Sequence, residues 1–222
     1  MGARVVESWV FDLDNTLYPA DSTIYDAIGD RMTAYIERAT GFDRVTAENE
    51  RERLHVAHGA TATGLHKEFG VDPADFIVYV HDVDVSVVPQ DAELNALIAA
   101  LPGRKFVFTN GGCDYAKRMV RQLGMHAHFE AVLDIESNGL VPKPEAAAYA
   151  GLIEKCGLDP RTAIFVEDTL RNLAPAHALG FETVLVGPVH PEPKPAYVDH
   201  TARDLKLFLR NWLDIDRAAP AA

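Results

Sequence analysis

The sequence predicts an α/β protein, a Rossmann-like parallel sheet core with a helical segment inserted after its first strand. Three observations predict it. From about residue 91 to 187, short apolar runs alternate with stretches of helical periodicity. From about residue 18 to 89 the periodicity is helical and no central strand is evident. Polar residues follow apolar strands three times, as Asp12 and Asp14, Thr109 and Asn110, and Glu167 and Asp168. Parallel sheets bind ligands at that carboxyl edge.

The first strand, Val5-Val6 and then residues 8–11, is β-branched and aromatic with no breaker, as a buried strand requires. It ends in two carboxylates one residue apart. If the extended geometry persists, a period of two returns Asp14 to the face of Asp12. Such a pair is costly through like-charge repulsion, and a divalent cation would offset the cost. The alternative is a plain turn, for which Asp14-Asn15-Thr16 is suitable chemistry.

Asp21-Ser22 can cap a helix that carries Ile24, Ile28, Met32, Tyr35 and Ile36 and ends near Gly41. Further helices are expected over residues 45–58, 61–69 and 73–81. Beyond them the order is helix 91–101, strand 105–110, helix 115–123, strand 131–135, helix 145–156, strand 163–166, helix 170–179 and strand 183–186. Residues 188–195 hold four prolines and read as a stiff linker. A last edge strand over 196–198, a helix over 201–213 and a frayed tail over 218–222 complete the chain. Residues 1–17 and 90–222 then form the core domain, and 18–89 a helical cap.

Composition bounds the function. The 222 residues have 33 acids, 21 bases and a net charge of −12. That surface repels nucleic acid and anionic membrane, so neither is an expected partner. There is no apolar run of about 18 residues and no basic-then-apolar leader, so a cytoplasmic protein is expected, as a monomer or small homo-oligomer. Cys113 and Cys156 read as packed thiols. His55, His58 and His66, and the pair His126 and His128, read as surface or packing residues rather than zinc ligands. An anionic substrate would need local attraction from a metal, a lysine or backbone N–H groups.

The sequence offers all three. Thr109 supplies a hydroxyl, and Asn110-Gly111-Gly112 supplies unhindered backbone N–H groups, although a glycine turn after a strand is equally ordinary. Lys143 stands between Pro142 and Pro144 on a stiffened backbone, with Pro144 suited to the first turn of the following helix. Glu167-Asp168, with Asn172 beyond, offers the hard oxygen ligands Mg²⁺ prefers, or else an acidic first turn for the next helix.

The run Phe11-Asp12-Leu13-Asp14-Asn15-Thr16-Leu17 resembles the first signature of the haloacid dehalogenase-like (HAD) hydrolase superfamily. Thr109, Lys143 and Glu167-Asp168 are similar to its second, third and fourth signatures, in order. The resemblance implies that Asp12 is the nucleophile. It makes Asp14 the general acid and base, which also offers its backbone carbonyl to Mg²⁺. Thr109, Asn110, Gly111 and Lys143 would bind the phosphoryl group, and Lys143 would also serve catalysis by pairing with Asp12. The metal set becomes Asp12, Asp14 and Asp168, with Glu167 and Asn172 in support; many relatives carry Asp where Asn172 stands.

The insertion resembles a C1-type cap. Residues 12–18 with Tyr25, 107–111 and 165–173 look most like the pyrimidine 5′-nucleotidase branch. The implied function is a Mg²⁺-dependent phosphomonoesterase working through an aspartyl-phosphate. Its substrate would be a small phosphorylated metabolite or nucleotide, foremost a pyrimidine nucleoside 5′-monophosphate. A phosphatase or phosphomutase for another metabolite is the alternative. Asp14 argues against a dehalogenase, and the intact set of polar residues argues against a non-catalytic scaffold. Specificity is expected in the cap, at residues such as Tyr25, His58 and His66.

Overall fold

In the computed structural model, which describes residues 6–19 and 22–218, six strands form one sheet. They are β1 (Ser8–Phe11), β2 (Arg104–Phe108), β3 (Ala131–Leu133), β4 (Ala163–Glu167), β5 (Glu182–Val186) and β6 (His200–Ala202). The order is β3-β2-β1-β4-β5-β6 and every neighbouring pair is parallel. β1 lies between β2 and β4, with Val10 opposite Phe106 on one side and Phe165 on the other. Its alternation sorts the core into two layers. Trp9 and Phe11 pack with Ile98, Met119 and Leu209, while Val10 packs with Phe108, Tyr149 and Leu173. Each such side chain contributes roughly 1.5–3 kcal/mol by leaving water.

Four helices follow β1 in succession: α1 (Thr23–Thr40), α2 (Arg44–His58), α3 (Thr61–Phe69) and α4 (Pro73–Val80). They close on their own apolar cluster of Tyr35, Ile36, Leu54, Leu65 and Phe76. The start of α1 instead joins the main core, where Ile24 and Ile28 pack with Leu17 and Tyr18. Gly64 permits the close approach of α2 and α3, because a Cβ there would meet Leu54 at 2.8 Å. The remaining helices are α5 (Ala92–Ala100), α6 (Cys113–Gln122), α7 (Ala146–Cys156), α8 (Leu170–Leu179) and α9 (Leu205–Ala218). No helix among the described residues is long and apolar enough to cross a membrane.

Four local expectations need correction. The last strand is not 196–198 but His200–Ala202. Thr183 Oγ1 donates to the Tyr197 carbonyl at 2.8 Å and the Asp199 carboxylate accepts the Thr183 N–H at 2.8 Å, so side chains hold 197–199 before the ladder starts. Val198 fills the core rather than pairing. With residues 200–202 in the ladder, α9 starts at Leu205 rather than 201, where Asp204 Oδ1 accepts the Leu207 N–H at 3.2 Å. Pro144 lies outside α7, whose N-cap is Glu145. At α1, Ser22 is the N-cap but makes no side-chain capping bond. Asp21, Val5 and residues 219–222 lie outside the described residues.

Candidate active site

The carboxyl edge of the sheet gathers the site. Asp12 follows β1, Thr109 and Asn110 follow β2, and Glu167 and Asp168 stand at the end of β4. Lys143 arrives from the connection between β3 and α7. Its buried ammonium donates to Asp12 Oδ1 at 2.6 Å, Glu167 Oε2 at 2.7 Å and the Phe108 carbonyl at 2.8 Å. Phe108 and Phe165 face it with their rings, 5.2 and 5.6 Å away. Burial alone would lower the lysine's pKa, but the two carboxylates win and hold it above its ordinary value.

Asn110 takes a part that its sequence position did not suggest. Its side-chain amide donates to the Lys143 carbonyl at 3.0 Å and its Oδ1 accepts the Lys143 N–H at 2.8 Å, so it clamps the lysine backbone. The Gly111 N–H donates to Thr109 Oγ1 at 2.8 Å, which fixes that hydroxyl as an acceptor and leaves its own proton to be given elsewhere. A Cβ at Gly112 would meet Ile77 at 2.7 Å, so α4 approaches this loop only because no side chain is there.

Burial, and then Glu167, push the Asp12 carboxyl well above the usual range despite Lys143. Burial and Glu167 likewise push Asp168 up to about 7. Glu167 is itself buried, yet Lys143 and the hydrogen bonds it accepts hold it below its ordinary value. Its Oε1 accepts the Thr169 N–H at 3.0 Å, and its Oε2 accepts from Asn172 Nδ2 at 3.1 Å as well as from Lys143. Asp168 keeps more freedom, accepting at 3.3 Å from Asn15 and 3.1 Å from the Thr169 hydroxyl.

Carboxylate oxygens of Asp12, Glu167 and Asp168 lie within 4.8 Å of one another, against one ammonium. The buried Asn172 Oδ1 and Asn15 Oδ1 find no partner. A compact set of hard oxygens with excess negative charge and spare acceptors fits a small divalent cation.

Asp14 does not join that cluster. The strand ends at Phe11 and the chain turns, with the Leu17 N–H bonded to the Leu13 carbonyl at 3.0 Å and Asn15 in the left-handed region at φ 62°. The extended geometry therefore stops before Asp14. Its Oδ1 accepts from Tyr115 Oη at 2.6 Å and from Tyr18 Oη, and the two phenol oxygens are 2.9 Å apart. Burial, then the Asp14 charge, raise both phenols far above ordinary tyrosine, so both remain donors. Asp12 and Asp14 still line one cavity of about 650 Å³.

The inserted helices form the other wall, with Tyr25, Arg51 and His55. Arg51 Nη1 donates to the Gly29 carbonyl at 2.6 Å and to Thr33 Oγ1 at 3.2 Å. Arg171, at the start of α8, donates from Nη2 to the Gly59 carbonyl at 2.8 Å and to His55 Nε2 at 2.6 Å. His55 must be neutral there, and burial and Arg171 both lower its pKa. Of the expected specificity residues, Tyr25 lines the cavity. His58 instead contacts Glu68 at 2.5 Å, and His66 the Val71 carbonyl at 3.0 Å.

Sequence reasoning missed Tyr115 as a partner of Asp14, and Arg51, His55 and Arg171 as parts of the cavity. The signal for Tyr115 was available: a tyrosine on the buried face of a helix needs a partner for its hydroxyl. Nothing in the local pattern distinguishes Arg51 from the other charged residues of α2.

The family described as hydrolase, haloacid dehalogenase-like hydrolase, matches residues 9–180. The chain is 25% identical over 196 residues to phosphate metabolism protein 8 of Saccharomyces cerevisiae, covering 79% of this chain and 60% of that protein's length. It is 25% identical over 197 residues to a glyceraldehyde 3-phosphate phosphatase of Methanopyrus kandleri, covering 82% and 84%. Among solved structures, a HAD phosphatase from Thermococcus onnurineus superposes with a TM-score of 0.66 at 16% identity, covering 94% of this chain and 98% of the other. L-2-haloacid dehalogenase from Xanthobacter autotrophicus gives 0.60 at 20% identity, covering 93% and 98%. At such identities the structural likeness speaks to the fold alone.

Proposed function

Because this chain belongs to the haloacid dehalogenase-like hydrolases, we propose that it is a phosphomonoesterase working through an aspartyl-phosphate on Asp12. The observation that carries this reading is the buried Lys143 ammonium, 2.6 Å from Asp12 and 2.7 Å from Glu167. It holds Asp12 Oδ1 in place and leaves Oδ2 to attack phosphorus. As that bond forms, the ester P–O bond breaks and the leaving oxygen takes a proton from Asp14. In the second step Asp14 takes a proton from water, the water oxygen bonds to phosphorus, and the Asp12–phosphorus bond breaks to release phosphate. The Thr109 hydroxyl and the main-chain N–H of Asn110 receive the phosphoryl oxygens, the Lys143 charge offsets theirs, and the Gly111 N–H holds the Thr109 hydroxyl in place.

The donor set suits Mg²⁺. Asp12, Asp168 and the Asp14 backbone carbonyl would hold it, and bound there it would neutralise and orient the phosphoryl oxygens. Glu167 is occupied on both oxygens, which suits support rather than direct ligation, and Asn172 steadies it at 3.1 Å.

Residues 18–89 act in this reading as a C1-type cap over the core of 1–17 and 90–222. The substrate is a small phosphorylated metabolite or nucleotide, in keeping with the phosphatase activity of the Methanopyrus relative. The finer choice, a pyrimidine nucleoside 5′-monophosphate, rests on the resemblance of residues 12–18, 107–111 and 165–173. The enzyme would act in the cytoplasm as a monomer or small homo-oligomer.

Phosphate release across a panel of phosphorylated metabolites, with Mg²⁺ and with a chelator, tests the proposal. Metal-dependent release, highest for pyrimidine nucleotides, is expected. No release from any phosphomonoester with Mg²⁺ present would refute the phosphatase reading.

A further inference from the structure

We propose that Tyr18 and Tyr115 are positioning residues that hold Asp14 for proton transfer, a reading that rests on the phosphomonoesterase function above. Three oxygens form a closed triangle: Asp14 Oδ1, the Tyr115 phenol 2.6 Å from it, and the Tyr18 phenol, itself 2.9 Å from that of Tyr115. Both rings are almost fully buried, Tyr18 at 3% and Tyr115 at 1% exposure, so neither hydroxyl has bulk water as an alternative partner.

The rings are fixed from outside the triangle. A Cβ at Gly111 would meet the Tyr115 ring at 3.1 Å, so the phosphate loop makes room for it. His81, at the end of α4, stacks on the same ring with centroids 4.8 Å apart and planes 27° apart. Its Nδ1 lies 2.9 Å from the Ile77 carbonyl, which holds the imidazole in turn. Tyr18 sits in the main core with Leu17 and Ile24.

The arrangement has a consequence for the chemistry. With Oδ1 accepting from both phenols, Oδ2 is the atom left to carry the proton. In the first step Oδ2–H gives its proton to the leaving oxygen as the ester P–O bond breaks. In the second step Oδ2 takes a proton from the attacking water. The tyrosines exchange no proton and touch no reacting atom; they restrict the carboxyl to the geometry in which Oδ2 faces the ester.

Tyr18→Phe, Tyr115→Phe and the double variant test this, with kcat/KM measured for an alkyl phosphate and for p-nitrophenyl phosphate. This constant reports the first step, in which the alkoxide needs a proton and the nitrophenolate does not. The double variant should lose about 10- to 100-fold with the alkyl ester, the scale of a misplaced catalytic group, and less than about 3-fold with the aryl ester. Each single variant should show the same bias to a smaller degree, which keeps the test valid should the double variant fail to fold. Equal losses for both esters in folded single variants would assign the tyrosines a structural role and overturn the proposal. No loss, or a gain, would overturn it too. A wild type inert toward both esters would overturn the phosphatase reading and this proposal with it.

Discussion

The two walls of the cavity are built by opposite rules. At the sheet edge, Lys143, Glu167 and Thr109 are each 1% exposed, and the ammonium satisfies two carboxylates and a carbonyl. On the helical wall, Tyr25 is 52% exposed, and Arg51 is tied through Nη1 to a carbonyl and a hydroxyl, both neutral. An ammonium with all three donors engaged fixes geometry, and the further carboxylate of Asp168 leaves negative charge for a cation. Arg51 and the exposed Tyr25 ring both line the cavity, where an arriving ligand can meet them. Under the proposed function, reaction belongs to the first wall and selection to the second.

The sharpest way to break this division is at Asp12. Asp12→Asn should keep the fold and lose at least ~10⁴-fold in turnover, because an amide cannot form the covalent intermediate. Turnover near wild type in the folded variant would remove the reaction from the sheet edge.

Lys143→Met should come next. It leaves Asp12 and Glu167 as uncompensated buried carboxylates, a defect worth about 3–5 kcal/mol of stability, read by urea unfolding. A loss below about 1 kcal/mol, the ordinary worth of an exposed ion pair, would mean that the ammonium is not the centre of the wall.

Much of this division was legible in the sequence. The strand-end placement of Asp12, Thr109 and Glu167 follows from apolar runs stopping at polar residues, and parallel topology sends those ends to one edge. Helix ends at Gly41, Gly70 and Gly180 were legible because glycine adopts the left-handed cap at no steric cost. What was not legible depends on contacts far apart in the chain. Asp14 meets Tyr115 across 101 residues, and Arg171 meets His55 across 116. The left-handed Asn15 also ended the strand geometry that would have paired Asp14 with Asp12. At the chain end, Val198 had the apolar character of a strand residue, but Thr183 and Asp199 captured its neighbours first.

Metal binding offers a milder probe of the first wall. Mg²⁺ in large excess should raise the unfolding free energy of the wild type by roughly 1–3 kcal/mol, as expected for a ligand that binds only the folded state. Asp168→Asn should abolish most of that shift, whereas Glu167→Gln should retain more of it if Glu167 supports Lys143 rather than the ion. Differential scanning calorimetry with and without Mg²⁺ reads both, and equal shifts in all three proteins would detach these acids from the metal.

The smallest effect is expected on the second wall. Arg51→Gln should change the ratio of kcat/KM between pyrimidine and purine monophosphates by up to ~10-fold, while p-nitrophenyl phosphate stays within about 2-fold of wild type. Parallel changes for all three substrates would deny the helical wall a part in selection.

Covalent bonding of Asp12 to phosphorus is tested most directly by stereochemistry at phosphorus. A thiophosphate monoester made chiral with oxygen isotopes is hydrolysed in isotopically labelled water, and the configuration of the product thiophosphate is determined. Two in-line displacements, by Asp12 and then by water, predict overall retention. Inversion would mean that water attacks the ester directly, and would contradict an aspartyl-phosphate intermediate.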